Sequence, residues 1–273
     1  MTKVSVAICT YNGQKYIAEQ LQSILRQTRL PDEIVICDDN STDHTVDIIR
    51  EIFKEHSFEK FRIEINKPGL RTIKNFEKAI SLCMGKWIFL SDQDDIWNEN
   101  KIEIMLKATK WNTLLLFSNG RLIDQDGTNL HSTLWEHWGF TEQQQKRWKN
   151  NPFAFKDLLI NKNFVTGATV LLNRKILKKS LPILVPNGYY HDAWFALHAA
   201  AADGLHFITD CIINYRIHPE QQVGVSKTGN DMSSVFSDDN ISDKEFKQRI
   251  QKLYYSNIPQ RKIKTLKRIL FRK

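Results

Sequence analysis

The feature that most constrains this chain is an alternation along its first 120 residues: β-branched runs of strand length take turns with stretches of helical spacing. Val4–Cys9 is the first apolar run. Asn12-Gly13 breaks it, and Ile17, Leu21, Ile24 and Leu25 then fall on one stripe of an amphipathic helix. Pro31 closes the connection, and Glu33–Cys37 is a second buried strand that stops at Asp38-Asp39-Asn40. Ser41 or Thr42 can cap a helix carrying Val46, Ile49 and Phe53. A third strand, Phe61–Ile65, meets Pro68-Gly69 and a helix with Ile73, Phe76 and Ile80; Lys86–Leu90 is a fourth. Strand and helix in strict turn predict an α/β chain, a Rossmann-like doubly wound and mostly parallel sheet.

Further along, Thr113–Phe117 reads as a strand and Asp126-Gly127 as a turn. The segment 131–163 has weak periodicity and holds Trp135, Trp138 and Trp148. Phe164–Leu172 reads as a strand and Asp192–Ala202 as an Ala-rich helix. Residues 226–242, rich in Ser, Asp, Asn and Gly, read as a linker, followed by helices over about 243–255 and 258–273. The expected organisation is one domain over 1–225, the linker, and a C-terminal helical tail over 243–273.

With 273 residues, 41% of them hydrophobic and 26% charged, the chain is neither a disordered segment nor a disulfide-stapled mini-protein. Its four cysteines form no C-x-x-C pair, so neither a zinc ribbon nor a redox pair is signalled, and they read as reduced thiols. No charged-then-apolar leader opens it, and no apolar run approaches the ~20 residues of a membrane span. A cytoplasmic protein is expected. The net charge of +8 suggests nucleic acid until it is located: the last thirteen residues hold seven Lys or Arg and no acid. The body is nearly neutral.

Two of the four early strands end in acidic clusters, Asp38–Asp39 and Asp92–Asp95. Carboxyl ends of parallel strands face a common crevice, so these carboxylates are expected to be neighbours in space. Asp92-Gln93-Asp94 is a D-x-D arrangement, able to hold a hard divalent cation through oxygen and leave positions open for phosphates. The same acids could instead cap the following helix. An EF-hand is excluded, because Ile96 and Trp97 stand where a ligand and a glycine belong. A second D-x-D, Asp124-Gln125-Asp126, runs into Gly127 and reads as a hairpin turn. Neither G-x-G-x-x-G after the first strand nor a P-loop occurs, which disfavours a dinucleotide enzyme and a P-loop NTPase.

Four ordered blocks carry a resemblance. Val4-Ser5-Val6-Ala7-Ile8-Cys9-Thr10-Tyr11-Asn12-Gly13, Gln20-Leu21 with Ser23-Ile24-Leu25 and Gln27-Thr28, Ile36-Cys37-Asp38-Asp39-Asn40-Ser41-Thr42-Asp43, and Phe89-Leu90-Ser91-Asp92-Gln93-Asp94-Asp95-Ile96-Trp97 together resemble the family 2 glycosyltransferases. Those are inverting enzymes with the GT-A fold, and the wording around Asp92–Trp97 is most similar to bacterial rhamnosyltransferase-like members. The match is dense over the first ~110 residues and thins across 131–163. It implies a nucleotide-sugar-binding half over 1–118 and an acceptor-binding half over 119–225.

The resemblance also assigns roles. Thr10, Tyr11 and Asn12 would lie on the nucleotide, with the Tyr11 ring against the base. Asp39, or Asp38, would accept a hydrogen bond from the base's N3–H, the donor shared by uracil and thymine. Asp92 would hold the ribose, with Gln93 beside it, and Asp94 a Mn²⁺ or Mg²⁺ ion that His218 reaches back to. Arg71 and Lys74 could neutralise the diphosphate or form a solvated basic face. Tyr190-His191-Asp192-Ala193-Trp194 matches the stretch holding the family's base, so Asp192 is the expected general base; an N-cap of the Ala-rich helix is its ordinary use. His191 departs from the second carboxylate usual there. His191, Trp194, Trp135 and Trp138 would contact the acceptor, and the tryptophans equally suit a core.

The expected activity is inverting, metal-dependent transfer of rhamnose or a hexose from a dTDP- or UDP-sugar to a lipid-linked saccharide in bacterial capsule or wall synthesis. Two other classes stay open. A sugar-nucleotide nucleotidyltransferase would bring a Gly-rich basic loop after the first strand, where this chain has one Gly and one Lys in Thr10–Lys15. A nucleic-acid-binding protein would use the tail, but the body offers no second basic patch. In the tail, Ile263, Leu266, Ile269 and Leu270 oppose Lys264, Lys267, Arg268 and Arg272. Such a helix can lie peripherally on the anionic inner face of the cell membrane, or pack on the body or on a second subunit of a homo-oligomer.

Overall fold

The computed structural model describes residues 3–221, 224 and 241–256. Within them the chain runs β1 Val4–Thr10, α1 Ile17–Leu25, β2 Glu33–Asp38, α2 Thr45–Glu55, β3 Phe61–Ile65, α3 Arg71–Leu82 and β4 Trp87–Ser91. A two-residue strand, β5 Ile96–Trp97, leads to α4 Lys101–Ala108, β6 Leu115–Ile123 and β7 Asn129–Thr133. Three short helices follow: α5 Leu134–Trp138, α6 Glu142–Trp148 and α7 Asn151–Leu159. Then come β8 Val170–Asn173, α8 Leu177–Ser180, α9 His191–Ala201, β9 Leu205–Arg216 and α10 Asp243–Ser256.

All nine strands form one sheet in the order β3-β2-β1-β4-β8-β6-β9-β5, with β7 on β6. From β3 to β4 every pairing is parallel, with Ile8 opposite both Ile36 and Ser91. This is the doubly wound half that the early periodicity predicts; β1, β2 and β4 are buried along nearly their whole length, whereas the edge strand β3 is largely exposed. Antiparallel pairing enters at β8, which runs against both β4 and β6. Reversing twice restores the direction, so β6 and β9 are parallel to each other and end on the same edge as β1, β2 and β4. That edge carries the acidic clusters and the segment after Arg216.

Three expectations are corrected. Neither Ser41 nor Thr42 caps α2: the helix begins at Thr45, whose N–H donates to the Asp43 carboxylate, while Ser41 is bound to Asp38. The strand expected over Phe164–Leu172 is confined to β8, because the chain before it turns through a 3₁₀ segment, Gly167–Thr169, beside the crevice. The acids at 92–95 cap no helix; α4 starts only at Lys101, and β5 intervenes. Asp124-Gln125-Asp126 does make the β6–β7 turn, with Asp124 Oδ1 accepting the N–H groups of Asp126 and Thr128.

Helix α10 lies on α9, with Phe246 and Ile250 buried and the Phe246 ring 4.7 Å from Tyr189. The expected linker, apart from residues 241–242, and the expected helix over 258–273 lie outside the described residues. Among the described residues no helix is long and apolar enough to cross a membrane.

Candidate active site

A cavity of about 790 Å³ opens where β1, β2, β4 and β9 end, walled on its far side by the Gly167 turn and the start of α9. Thr10, Tyr11, Asn12 and Asp39 line one end, Asp92, Gln93, Asp94 and His218 the floor, and Trp138, His191 and Asp192 the other end. Carboxylates as far apart in the chain as Asp39 and Glu220 therefore share one space.

At the Tyr11 end of the cavity the loops are locked to one another. Asn12, at φ 46°, takes the N–H of Thr42 on its side chain and gives its own N–H to Ser41. The Tyr11 ring is 44% exposed at the rim. The two aspartates after β2 separate. Asp38 is fully buried and its carboxylate is spent on Thr10 Oγ1 at 2.7 Å and on the Ser41 N–H and hydroxyl. Asp39 is the one that reaches the cavity, held by Asn66 and the N–H groups of Leu70 and Arg71. Asp38 is thus corrected to an internal brace.

Arg71 and Lys74 do not line the cavity. Arg71 contributes its backbone N–H to Asp39, and Lys74 pairs with Glu77 at 3.2 Å and approaches the Ile183 carbonyl. Gln93 lines the floor, but its amide is bound to the Tyr11 backbone rather than turned wholly to a ligand.

The floor is acidic. Asp94 Oδ2 lies 3.0 Å from His218 Nε2. Asp92 is pushed up to about 7, by burial first and then by the charges of Asp94 and Asp192. Behind it Asp95 is buried, with one carboxylate oxygen accepting the Arg216 N–H. Arg216, which sequence reasoning passed over, braces the floor: its guanidinium donates to the Asp94 carbonyl and to Glu19 at 2.6 Å, and lies over the Tyr16 ring. Lys101 is also buried there, donating to the Ala168 carbonyl.

Across the cavity Asp192 occupies the first turn of α9. Tyr190 takes the N-cap position, and Asp192 Oδ1 accepts the Ala193 N–H and the Asn163 amide. Burial raises its carboxyl to about 7 despite those bonds. Of the four aromatic residues proposed for the acceptor, Trp138 and His191 line the cavity. Trp138 also donates to Thr166 Oγ1. Trp135 and Trp194 are corrected to core residues: each is 5% exposed, Trp135 packed on Phe117, Phe140 and Phe207, Trp194 bonded to the Ser180 carbonyl. Trp148 is likewise core, its indole N–H on Asp157. Asn163, Thr166 and Gly167 line the cavity near Asp192 without any motif to announce them.

Asp192 thus stands across one cavity from Asp92 and Asp94. Residues 5–181 match the family model described as glycosyl transferase family 2. The chain belongs to that family. It is 36% identical over 116 residues to the dTDP-rhamnosyl transferase RfbG of Shigella flexneri, covering 41% of this chain and 40% of that one. To an uncharacterized glycosyltransferase of Haemophilus influenzae it is 26% identical over 93% of this chain and 74% of the other. It is 35% identical to Escherichia coli chondroitin synthase over 45% of this chain, but spans only 18% of that protein's length. Two solved structures share the GT-A fold. One is S. aureus TarS in complex with UDP, at 18% identity and TM-score 0.60 over 98% of this chain and 69% of that one. The other is Mycobacterium tuberculosis glucosyl-3-phosphoglycerate synthase with Mn²⁺, UDP and phosphoglyceric acid, at 15% and 0.54 over 80% and 72%. Family membership decides for a glycosyltransferase among the three classes that the sequence left open.

Proposed function

We propose that this protein is an inverting, metal-dependent glycosyltransferase. It transfers rhamnose or a hexose from a dTDP- or UDP-sugar to a lipid-linked saccharide in bacterial capsule or wall polymer synthesis. The observation that carries the reading is the single cavity that sets Asp92, Asp94 and His218 opposite Asp192. The relation to a dTDP-rhamnosyl transferase supports the donor class.

Among the described residues no group of three ligating side chains stands preformed, so a divalent cation would be held at the floor by Asp94 and His218 together with the donor's own oxygens. Asp94 and His218 bring an oxygen and a nitrogen to within 3.0 Å of each other, with Asp92 beside them. Carboxylate oxygen with imidazole is a donor set for Mn²⁺, and the oxygens alone suit Mg²⁺. Bound there, the ion would neutralise charge on the leaving diphosphate. The chain's own residues do the rest. Tyr11 offers an aromatic face to the base, and Asp39 keeps acceptor capacity for N3–H beyond the bonds it already makes. Asp192 takes the proton of the attacking hydroxyl. Attack from the Asp192 side, opposite the diphosphate, passes through an oxocarbenium-like state and inverts the anomeric centre. Trp138 stacks on the acceptor sugar.

The test is a screen of UDP-, dTDP- and GDP-sugars with Mn²⁺ or Mg²⁺, read by thermal stabilisation and by release of the nucleoside diphosphate. A ligand that binds only the native state raises its melting temperature. Stabilisation by UDP- or dTDP-sugars that depends on the cation is expected. Indifference to every sugar nucleotide would sink the reading.

A further inference from the structure

Lys101 is the first residue of α4 and is fully buried. Two local effects oppose a lysine there. Burial lowers its amine to about 7, against the charges of Asp95 and Asp92, which raise it. A cation in the first turn of a helix also meets the positive end of the helix dipole. An apolar side chain of the same length would fill the space without removing an amine from water. A residue that its own element disfavours is retained for what it does elsewhere in the fold.

What Lys101 bonds is the wall opposite the acidic floor. Its Nζ lies 4.1 Å from the centre of the Trp97 ring and donates to the Ala168 carbonyl at 2.7 Å. Ala168 is the middle residue of the 3₁₀ turn Gly167–Thr169. Two carbonyls of this stretch are satisfied locally: Thr166 accepts the Thr169 N–H at 2.9 Å, and Gly167 accepts the Val170 N–H. The carbonyl of buried Ala168 reaches instead to Lys101, 67 positions away. On its other side the turn meets α9. The Gly167 N–H bonds the Asp192 carboxylate and favours its ionised form. A Cβ at Gly167 would stand 2.9 Å from His191 Nε2, so the turn lies hard against the start of α9. Two hydrogen bonds thus link α4, the turn and Asp192 in series. An amine and an ammonium both donate, so the link does not depend on the charge of Lys101.

We propose that Lys101 is a positioning residue for Asp192: its bond to the Ala168 carbonyl fixes the Gly167 turn, and the turn sets the Asp192 carboxylate where proton transfer needs it. Lys101 itself does not line the cavity. This rests on the reading of Asp192 as the base and deepens it by naming what holds that base.

Lys101→Met in the full chain tests it, because Met keeps the length and the packing on Trp97 but has no donor. Lys101→Gln is made alongside as a second, polar replacement that is too short for the same bond. Peptide-resolved hydrogen exchange is the first readout and needs no turnover. We expect exchange over 166–170 to quicken by about tenfold while β1 and β4 keep their wild-type protection. Turnover is read as release of UDP or dTDP from UDP-glucose or dTDP-rhamnose with Mn²⁺, and affinity by calorimetry with UDP. The kcat should fall by about tenfold or more while the Kd for UDP stays within about threefold of wild type. A turn that exchanges as in wild type, or a kcat that does not fall, overturns the proposal. An equal loss of UDP affinity also overturns it, because Lys101 would then support the floor rather than the base. Failure of both variants to fold does the same, since Lys101 would then hold the whole fold. If the wild-type protein neither binds nor turns over any of these nucleotides, the glycosyltransferase reading itself fails and this proposal falls with it.

Discussion

The side-chain amide of Gln93 clasps the backbone of Tyr11 at two points: Oε1 accepts the Tyr11 N–H at 2.8 Å and Nε2 donates to the Tyr11 carbonyl at 3.0 Å. The clasp joins the loop after β1 to the loop after β4, and it needs Gly13, because a Cβ there would collide with the amide. The middle residue of the D-x-D thereby ties the Tyr11 end of the cavity to its acidic floor.

Gln93→Ala removes both bonds. Each is near solvent and contributes about 1 kcal/mol or less to folding, so the melting temperature should change little. The nucleotide slot, however, loses its alignment. We expect the Kd for UDP or dTDP to rise by about tenfold, measured by calorimetry with Mn²⁺. An unchanged Kd would show that the clasp has no part in binding.

Trp135 and Trp138 make a paired prediction because only two residues separate a core side chain from a cavity wall. Trp135→Ala leaves a void among Phe117, Phe140 and Phe207, and should cost about 3–5 kcal/mol of stability in a denaturant titration. Trp138→Ala should leave stability within about 1 kcal/mol and raise the KM for a saccharide acceptor by about tenfold or more. The reverse pattern would place the acceptor elsewhere.

The contrast between these tryptophans also marks where the sequence stopped being legible. The parallel half was readable because its inner strands β1, β2 and β4 are mostly apolar and its helices keep a 3.6-residue stripe, as in Ile17, Leu21 and Ile24. The acidic ends were readable for a related reason: a parallel sheet brings the carboxyl ends of β1, β2 and β4 to one edge regardless of their separation in the chain. Beyond Ile123 the pattern weakens. Short helices such as α5 and α6 bury single aromatic residues rather than a stripe, so spacing could not say which indole faces inward. Asp38 and Asp39 were indistinguishable by type, and only the hydroxyls of Thr10 and Ser41 decide which one turns inside. Arg216 and Gln93 act through backbone atoms of partners 122 and 82 positions away, which no local pattern encodes.

The cation site gives a third prediction. Asp94→Ala and His218→Ala each remove one of two groups that stand 3.0 Å apart. Mn²⁺ affinity, followed by calorimetry in the presence of UDP or dTDP, should drop by about tenfold or more for either variant, more steeply for Asp94→Ala because it removes a charge. Chelation with EDTA should abolish transfer by the wild type, and Mn²⁺ or Mg²⁺ should restore it. Undiminished transfer by Asp94→Ala in EDTA would remove Asp94 from this role.

Asp192 gives the last, and its pH dependence can be signed in advance. Burial raises its carboxyl to about 7, and only the ionised form can take a proton from the acceptor hydroxyl. Turnover should therefore climb as pH rises through about 7 and level off above it. Asp192→Asn keeps the shape but cannot accept the proton, so it should lose about 10²-fold or more in kcat and also lose this limb of the profile. Stability should move the other way. A carboxyl whose pKa is higher folded than unfolded favours the folded state below the unfolded value, and that contribution is lost as pH rises through about 7. Above that pH the wild type holds a buried charge that Asp192→Asn lacks. The variant should thus melt at the same temperature as the wild type or higher at pH 8, with UDP bound equally well. A folded variant that transfers at the wild-type rate with the pH limb intact would show that the base is another group.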